Sequence, residues 1–174
     1  NNFNVKVTTE INPKAEIYWG DKLTRDHLDQ MPHLKWIHLS KTGYGKFNLP
    51  PNTLITNTPE SSRGVAEYAL TGILYLLRGL DKMTLSRETF DPNLDYILPF
   101  NKVKCLIVGY GSIGNKLKRL LFSLGIYSDE VTRYHNIEYM LSKSNYDFII
   151  NCLPLNETTK NYFNKDIFKY INPN

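Results

Sequence analysis

The apolar and polar positions of this chain fall into short blocks whose period changes several times. Ala15–Trp19 (AEIYW) predicts a strand ended by Gly20. Thr24 can cap a helix that carries His27, Leu28 and Met31 and stops at Pro32. Leu34–Leu39 alternates and ends apolar, which predicts a second strand. Leu54–Thr56 predicts a third, left through the turn Asn57-Thr58-Pro59. The period then becomes helical from Val65, with Ser61 or Ser62 as N-cap. Val65, Ala66, Tyr68, Leu70, Ile73, Leu74 and Leu77 cover nearly the whole circumference. That distribution predicts a helix buried on most sides, suited to a place between two domains or at a subunit contact. Lys82–Phe100 is polar, holds Pro92 and Pro99, and predicts a crossing between domains.

The pattern is sharpest over Val103–Leu124. Cys105-Leu106-Ile107-Val108 is an apolar run with no turn residue, and Gly109-Tyr110-Gly111-Ser112-Ile113-Gly114 follows as G-x-G-x-x-G. Ile113, Leu117, Leu120, Leu121 and Leu124 then form one helical stripe, with Gly125 as the stop. A strand thus enters a tight glycine turn and leaves as an amphipathic helix, the arrangement that dinucleotide binding needs. Gly109 makes the turn, Gly111 lets backbone approach a pyrophosphate, and Gly114 lets the helix pack on the strand. The free N–H groups of the first helical turn and the helix dipole then face the phosphates. A plain glycine turn without a ligand is the alternative.

The next strand should carry a ribose-binding acid about 20 residues beyond the first glycine. The sequence there is Ile126-Tyr127-Ser128-Asp129-Glu130-Val131-Thr132-Arg133. A central parallel strand is nearly all apolar, and Ser-Asp-Glu in its middle argues against one. Either the strand is unusual or it is absent, with residues missing between Ile126 and Ser128. Asn136 caps a short helix bearing Ile137, Met140 and Leu141. Tyr146–Leu153 reads as a buried strand ended at Pro154, and Asn164 caps Lys165–Tyr170.

Composition adds boundaries. With 174 residues, 41% hydrophobic and 22% charged, the chain can build a real core, in one domain or two small ones. The net charge of +4 is mild, and the lysines and arginines are scattered over solvated faces, with no basic stripe for nucleic acid. Cys105 and Cys152 both lie in apolar runs and read as small buried hydrophobes; neither a disulfide framework nor a metal site is expected. The longest apolar stretch, within Tyr68–Leu77, is too short for a membrane span, and no signal peptide is visible. A cytoplasmic or equivalent reducing compartment is the expectation. The chain does not begin with Met, which leaves room for residues upstream.

Several stretches then agree in order: Leu34-Lys35-Trp36-Ile37, Thr42-Gly43-Tyr44-Gly45, Asn57-Thr58-Pro59, Val65–Leu70 (VAEYAL), Gly109–Gly114, and Leu153-Pro154-Leu155 with Thr159. Together they resemble the D-2-hydroxyacid dehydrogenase family, which includes glyoxylate/hydroxypyruvate reductases and phosphoglycerate dehydrogenase. The resemblance implies an α/β chain with two Rossmann-like or flavodoxin-like parallel-sheet domains. Residues 1–90 would form the substrate domain, with helix 65–83 between the domains, and 98–174 an NAD(P)-binding Rossmann domain, incomplete.

It further implies an oxidoreductase that uses NAD or NADP and transfers a hydride between the nicotinamide and a small 2-keto or 2-hydroxy acid, as a homodimer. Gly109, Gly111, Ser112, Ile113 and Gly114 would hold the pyrophosphate; Leu153 and Pro154 would line the adenosine side, with Thr159 beside the cofactor. Gly43, Tyr44 and Gly45 would grip the substrate carboxylate, and Val65 would lie near the nicotinamide. Each has a bland reading: Leu153-Pro154 as a strand end, Thr159 as a turn cap, Val65 as core. The family's catalytic Arg, Glu and His would fall beyond Asn174. No catalytic residue is therefore assigned in this chain, and His27, His33, His38 and His135 match none of those positions. Family members are about twice as long, so the chain is expected to be part of an enzyme. The alternative is a non-catalytic NAD(H)-binding regulatory protein on the same scaffold. Arg133 would favour NADP if Thr132-Arg133 ends the second strand of the nucleotide domain.

Overall fold

Six short strands and six helices form two parallel sheets in the computed structural model, which describes residues 5–40, 49, 51–58, 60–83 and 97–171. The chain divides into two compact units, residues 1–61 and 62–174. The first unit holds β1 (Ile17–Trp19), α1 (Arg25–Gln30), β2 (Trp36–Leu39) and β3 (Leu54–Asn57), in the sheet order β1-β2-β3. All three strands are parallel, with Trp19 beside His38 and His38 beside Thr56. Thr24 caps α1 by accepting from the His27 N–H at 3.2 Å, and the helix ends at Gln30, before Pro32. Leu28 and Met31 press with Leu23 and Leu34 onto Ile37 and Leu39, so one face of the sheet is the core of this unit. The strand period of two sends alternate residues to the opposite face. Ile17, Trp19, Trp36 and Leu54 lie there and are exposed, Trp19 at 75%.

The second unit holds α2 (Ser61–Leu77), α3 (Leu80–Met83), β4 (Lys104–Val108), α4 (Ser112–Ser123), β5 (Tyr127–Val131), α5 (Ile137–Lys143), β6 (Phe148–Asn151) and α6 (Lys165–Phe168). Its sheet is parallel in the order β5-β4-β6. Central β4 is buried on both sides. Cys105 and Ile107 pack with Ala66, Ile73 and Leu77 of α2 and Leu117 and Leu121 of α4. Leu106 and Val108 pack on the other side with Ile137 and Leu141 of α5 and Ile167 of α6. Asn136 and Asn164 cap α5 and α6 with their side chains. Gly125, at φ +73°, closes α4 in the left-handed conformation that ends many helices.

Two expectations change. The long helix begins at Ser61 and buries one stripe, Ser62, Ala66, Ile73 and Leu77, rather than most of its circumference. Val65, Tyr68, Tyr75 and Leu76 are exposed, Tyr68 at 82%. Its buried stripe packs with the second unit. The second correction concerns Tyr127–Val131, which is a strand in register with Lys104–Val108 and needs no inserted residues. Its Ser-Asp-Glu is tolerated because β5 is an edge: among the described residues it pairs only with β4. Asp129 accepts from the hydroxyls of Tyr127 at 2.8 Å and Tyr146 at 2.9 Å, and Glu130 pairs with Lys118 of α4. Among the described residues no helix is long and apolar enough to cross a membrane.

Candidate functional site

The C-terminal ends of β4, β5 and β6 meet at one level. The Gly109 N–H donates to the Val131 carbonyl at 2.9 Å, and the Cys152 N–H donates to the Val108 carbonyl at 2.7 Å. Open parallel sheets bind ligands at such ends. The three glycines of the turn differ in what demands them. Gly109 has φ +100°, and a Cβ there would lie 2.7–2.8 Å from backbone atoms of Cys152 and Leu153. A Cβ on Gly114 would lie 2.3 Å from the Gly109 carbonyl oxygen and 3.1 Å from Ile107. The fold itself therefore requires both.

Gly111 is different. Its φ is −87°, and a Cβ there would meet nothing within 4 Å. Among the described residues, neither crowding nor a positive φ calls for glycine at this exposed position. It is also the N-cap of α4, and it offers no side-chain hydrogen bond. By contrast Thr24, Asn136 and Asn164 cap their helices with side-chain oxygens. An α-helix leaves its first N–H groups without intrahelical acceptors. At α4 no cap side chain covers them, and the space outside Gly111 is open to an anion.

Around the turn, Ser112 donates its hydroxyl to Ser62 Oγ at 2.8 Å, and Asn115 Nδ2 donates to the Tyr110 hydroxyl at 3.0 Å. The Lys118 ammonium sits 5.5 Å from the Tyr110 ring centre and pairs with Glu130, whose hydrogen bond is the main cause that raises the lysine's pKa above 10.5. Ile113 is half-buried on the first turn of α4. Leu153 packs in the core beside β4 while Pro154 is exposed. Thr159 folds back on them: its hydroxyl donates to the Pro154 carbonyl, and it accepts from the Asn156 N–H at 3.0 Å. Asn156 Oδ1 accepts from the N–H groups of Thr158 and Thr159 at 2.9 and 3.1 Å. The loop after β6 is thus a closed structure placed against Gly109.

The residues named from sequence on the second unit's sheet are brought together here. Val65 reaches this group only through its helix, one turn beyond Ser62. Gly43, Tyr44 and Gly45 lie outside the described residues. Of the histidines, His38 has both ring nitrogens bonded to hydroxyls, Nδ1 to Thr56 at 2.8 Å and Nε2 to Thr58 at 3.1 Å. His135 Nδ1 accepts from the Thr132 N–H at 3.2 Å.

Thr132-Arg133 lies where the sequence reading with an unbroken second strand puts it. β5 ends at Val131, so these residues follow at its C-terminal end, beside Gly109. The Arg133 guanidinium lies 5.3 Å from the ring centre of exposed Tyr134. The structure adds Ser62, and no sequence signal ties it to Ser112, 50 residues away.

No protein-family model matches the chain, and no curated protein does. Solved structures do. D-lactate dehydrogenase from Aquifex aeolicus, complexed with NAD and lactic acid, is 24% identical with a TM-score of 0.68, over 91% of this chain and 54% of that one. An NADPH-dependent glyoxylate/hydroxypyruvate reductase from Sinorhizobium meliloti, in complex with NADP and sulfate, is 18% identical with a TM-score of 0.70, over 90% and 54%. A D-isomer specific 2-hydroxyacid dehydrogenase family protein from Klebsiella pneumoniae is 20% identical with a TM-score of 0.72, over 91% and 56%. The chain thus spans a little over half the length of these proteins. At such identities the likeness is one of fold: the chain has the Rossmann-type α/β fold of the D-isomer specific 2-hydroxyacid dehydrogenases.

Proposed function

We propose that the second unit binds a nicotinamide dinucleotide, and that the protein to which this chain belongs is an NAD(P)-dependent D-2-hydroxyacid dehydrogenase. The observation that carries the reading is Gly111. It is the one glycine of the turn that neither conformation nor crowding explains, and it stands at the uncapped start of a 12-residue helix. A pyrophosphate fits that place: it supplies acceptors for the first-turn N–H groups and needs the missing Cβ to approach them. Ser112, Ile113 and Gly114 would present those groups. Leu153, Pro154 and Thr159 would line the adenosine side, and Val65 the nicotinamide side. Gly43, Tyr44 and Gly45 remain the candidates for the substrate carboxylate. When bound, the cofactor supplies the hydride that converts a small 2-keto acid into its 2-hydroxy acid.

Within this reading NADP is favoured over NAD. The position after the second strand of a Rossmann unit meets the adenosine ribose; an acid there suits a 2′-hydroxyl, and an arginine suits a 2′-phosphate. Here the chain has Thr132-Arg133, while the acids Asp129 and Glu130 lie inside β5 with partners of their own. The exposed apolar residues of α2 support a homodimer built on that helix, and the two unpaired cysteines suit a reducing, cytoplasmic setting.

The test is a titration of the purified chain with NADPH and NADH, followed by nicotinamide emission. NADPH is expected to bind at least about tenfold more tightly, and Arg133→Ala to remove most of that preference, because a charge-assisted bond to phosphate is worth about 1.5–3 kcal/mol. A folded chain that binds neither nucleotide refutes the reading. Reduction of glyoxylate, hydroxypyruvate or pyruvate by the longer protein tests the activity.

A further inference from the structure

We propose that Ser62 is a positioning residue that sets the spacing between the two ends of the cofactor site. This rests on the nicotinamide dinucleotide reading above. Ser62 stands on the first turn of α2, is fully buried, and accepts the Ser112 hydroxyl at 2.8 Å. Ser112 is the first residue of α4, next to Gly111. The 17-residue α2 and the 12-residue α4 therefore begin side by side, joined by one hydroxyl pair. Ser62 is one of two buried polar residues among those described, the other being Ser128. Ala66, one turn further along α2, already belongs to the apolar cluster. A buried hydroxyl in such a place is costly unless it is bonded. One of its bonds ties it to Ser112.

The tie has a geometric meaning. Val65 projects from α2 three residues after Ser62, and the pyrophosphate turn is Gly109–Gly114. In a dinucleotide the nicotinamide and the pyrophosphate are held at a covalent spacing. A site preformed at that spacing binds without first ordering its two halves. Ser62 does this without touching the ligand. Ligands that occupy only the turn and the adenosine side have no need of it.

The experiment compares NADPH with 2′-phospho-ADP-ribose, which keeps the adenosine, its 2′-phosphate and the pyrophosphate but has no nicotinamide. Both are titrated into the full chain, into S62A and S112A, and into the double variant, by calorimetry. Folding is monitored by circular dichroism. S62A is expected to weaken NADPH about fivefold and 2′-phospho-ADP-ribose less than about twofold. In the S112A background the S62A effect on NADPH should fall below about twofold, since the two hydroxyls act as one unit. Equal weakening of both ligands, no weakening of NADPH, or the same S62A factor in both backgrounds overturns the positioning role while leaving the nucleotide site in place. Wild-type chain that binds neither ligand overturns the nucleotide reading and this inference with it.

Discussion

At the scale of single residues, the glycine turn separates what folding needs from what a ligand needs. Gly109→Ala combines an unfavourable positive φ with a Cβ 2.7 Å from the Cys152 backbone, and should cost roughly 2–4 kcal/mol of stability. Gly111→Ala should cost no more than about 1 kcal/mol of stability, the loss expected at an N-cap, yet weaken NADPH binding at least about tenfold. A Gly111→Ala protein that binds normally would remove the reason for assigning the turn a ligand. The spacing of the three glycines was visible in the sequence, and so were the roles expected of them. The open space beside Gly111 and the wall beside Gly109 were not, because the wall comes from β6, more than 40 residues downstream. The cysteines followed their composition. Cys105 is fully buried and Cys152 partly so. Burial, aided by nearby Asp147, pushes the Cys105 thiol from its ordinary 9.0 up to about 12, and burial alone raises Cys152.

At the scale of elements, β4 and α4 were legible because each carries a complete local signal: an unbroken apolar run, a glycine turn, a 3.6-residue stripe and a glycine stop. The caps Thr24, Asn136 and Asn164 were legible for the same reason. β5 was misjudged because edge or centre is a property of the sheet, and one strand's sequence does not reveal its neighbours. The helix α2 is a different case. An apolar circumference tells how much surface could be covered, and in the described chain only one stripe is. Its outward residues give a test of the proposed homodimer. Tyr68→Glu with Leu76→Glu should convert the chain to monomer in sedimentation at micromolar concentration, with helix content unchanged. A dimer that survives both charges would have to be built elsewhere.

At the scale of the whole molecule, the two units are alike in plan, each a three-stranded parallel sheet, but unequal in cover. Among the described residues, the sheet of the second unit is packed on both faces by α2, α4, α5 and α6; that of the first is packed by α1 on one. The fully packed sheet makes stability sensitive to alkali. Cys105 stays protonated in the folded state at pH values where the unfolded chain has lost that proton. Tyr146, raised by burial and then by its bond to Asp129, acts in the same direction. The folded state then binds more protons than the unfolded one, so stability is full below about pH 9 and falls as pH rises towards 12. The urea midpoint followed by circular dichroism should therefore be lower at about pH 10.5 than at about pH 8, and Cys105→Ala should reduce the difference.

The face of the first sheet that is exposed among the described residues has an optical consequence. The chain has two tryptophans, Trp19 and Trp36, and both stand on that face. Selective tryptophan excitation therefore reports on the first unit, from indoles already open to solvent, and is nearly blind to the second. A melting curve read this way would pass over the loss of the glycine turn altogether, whereas the emission of a bound nicotinamide would register it.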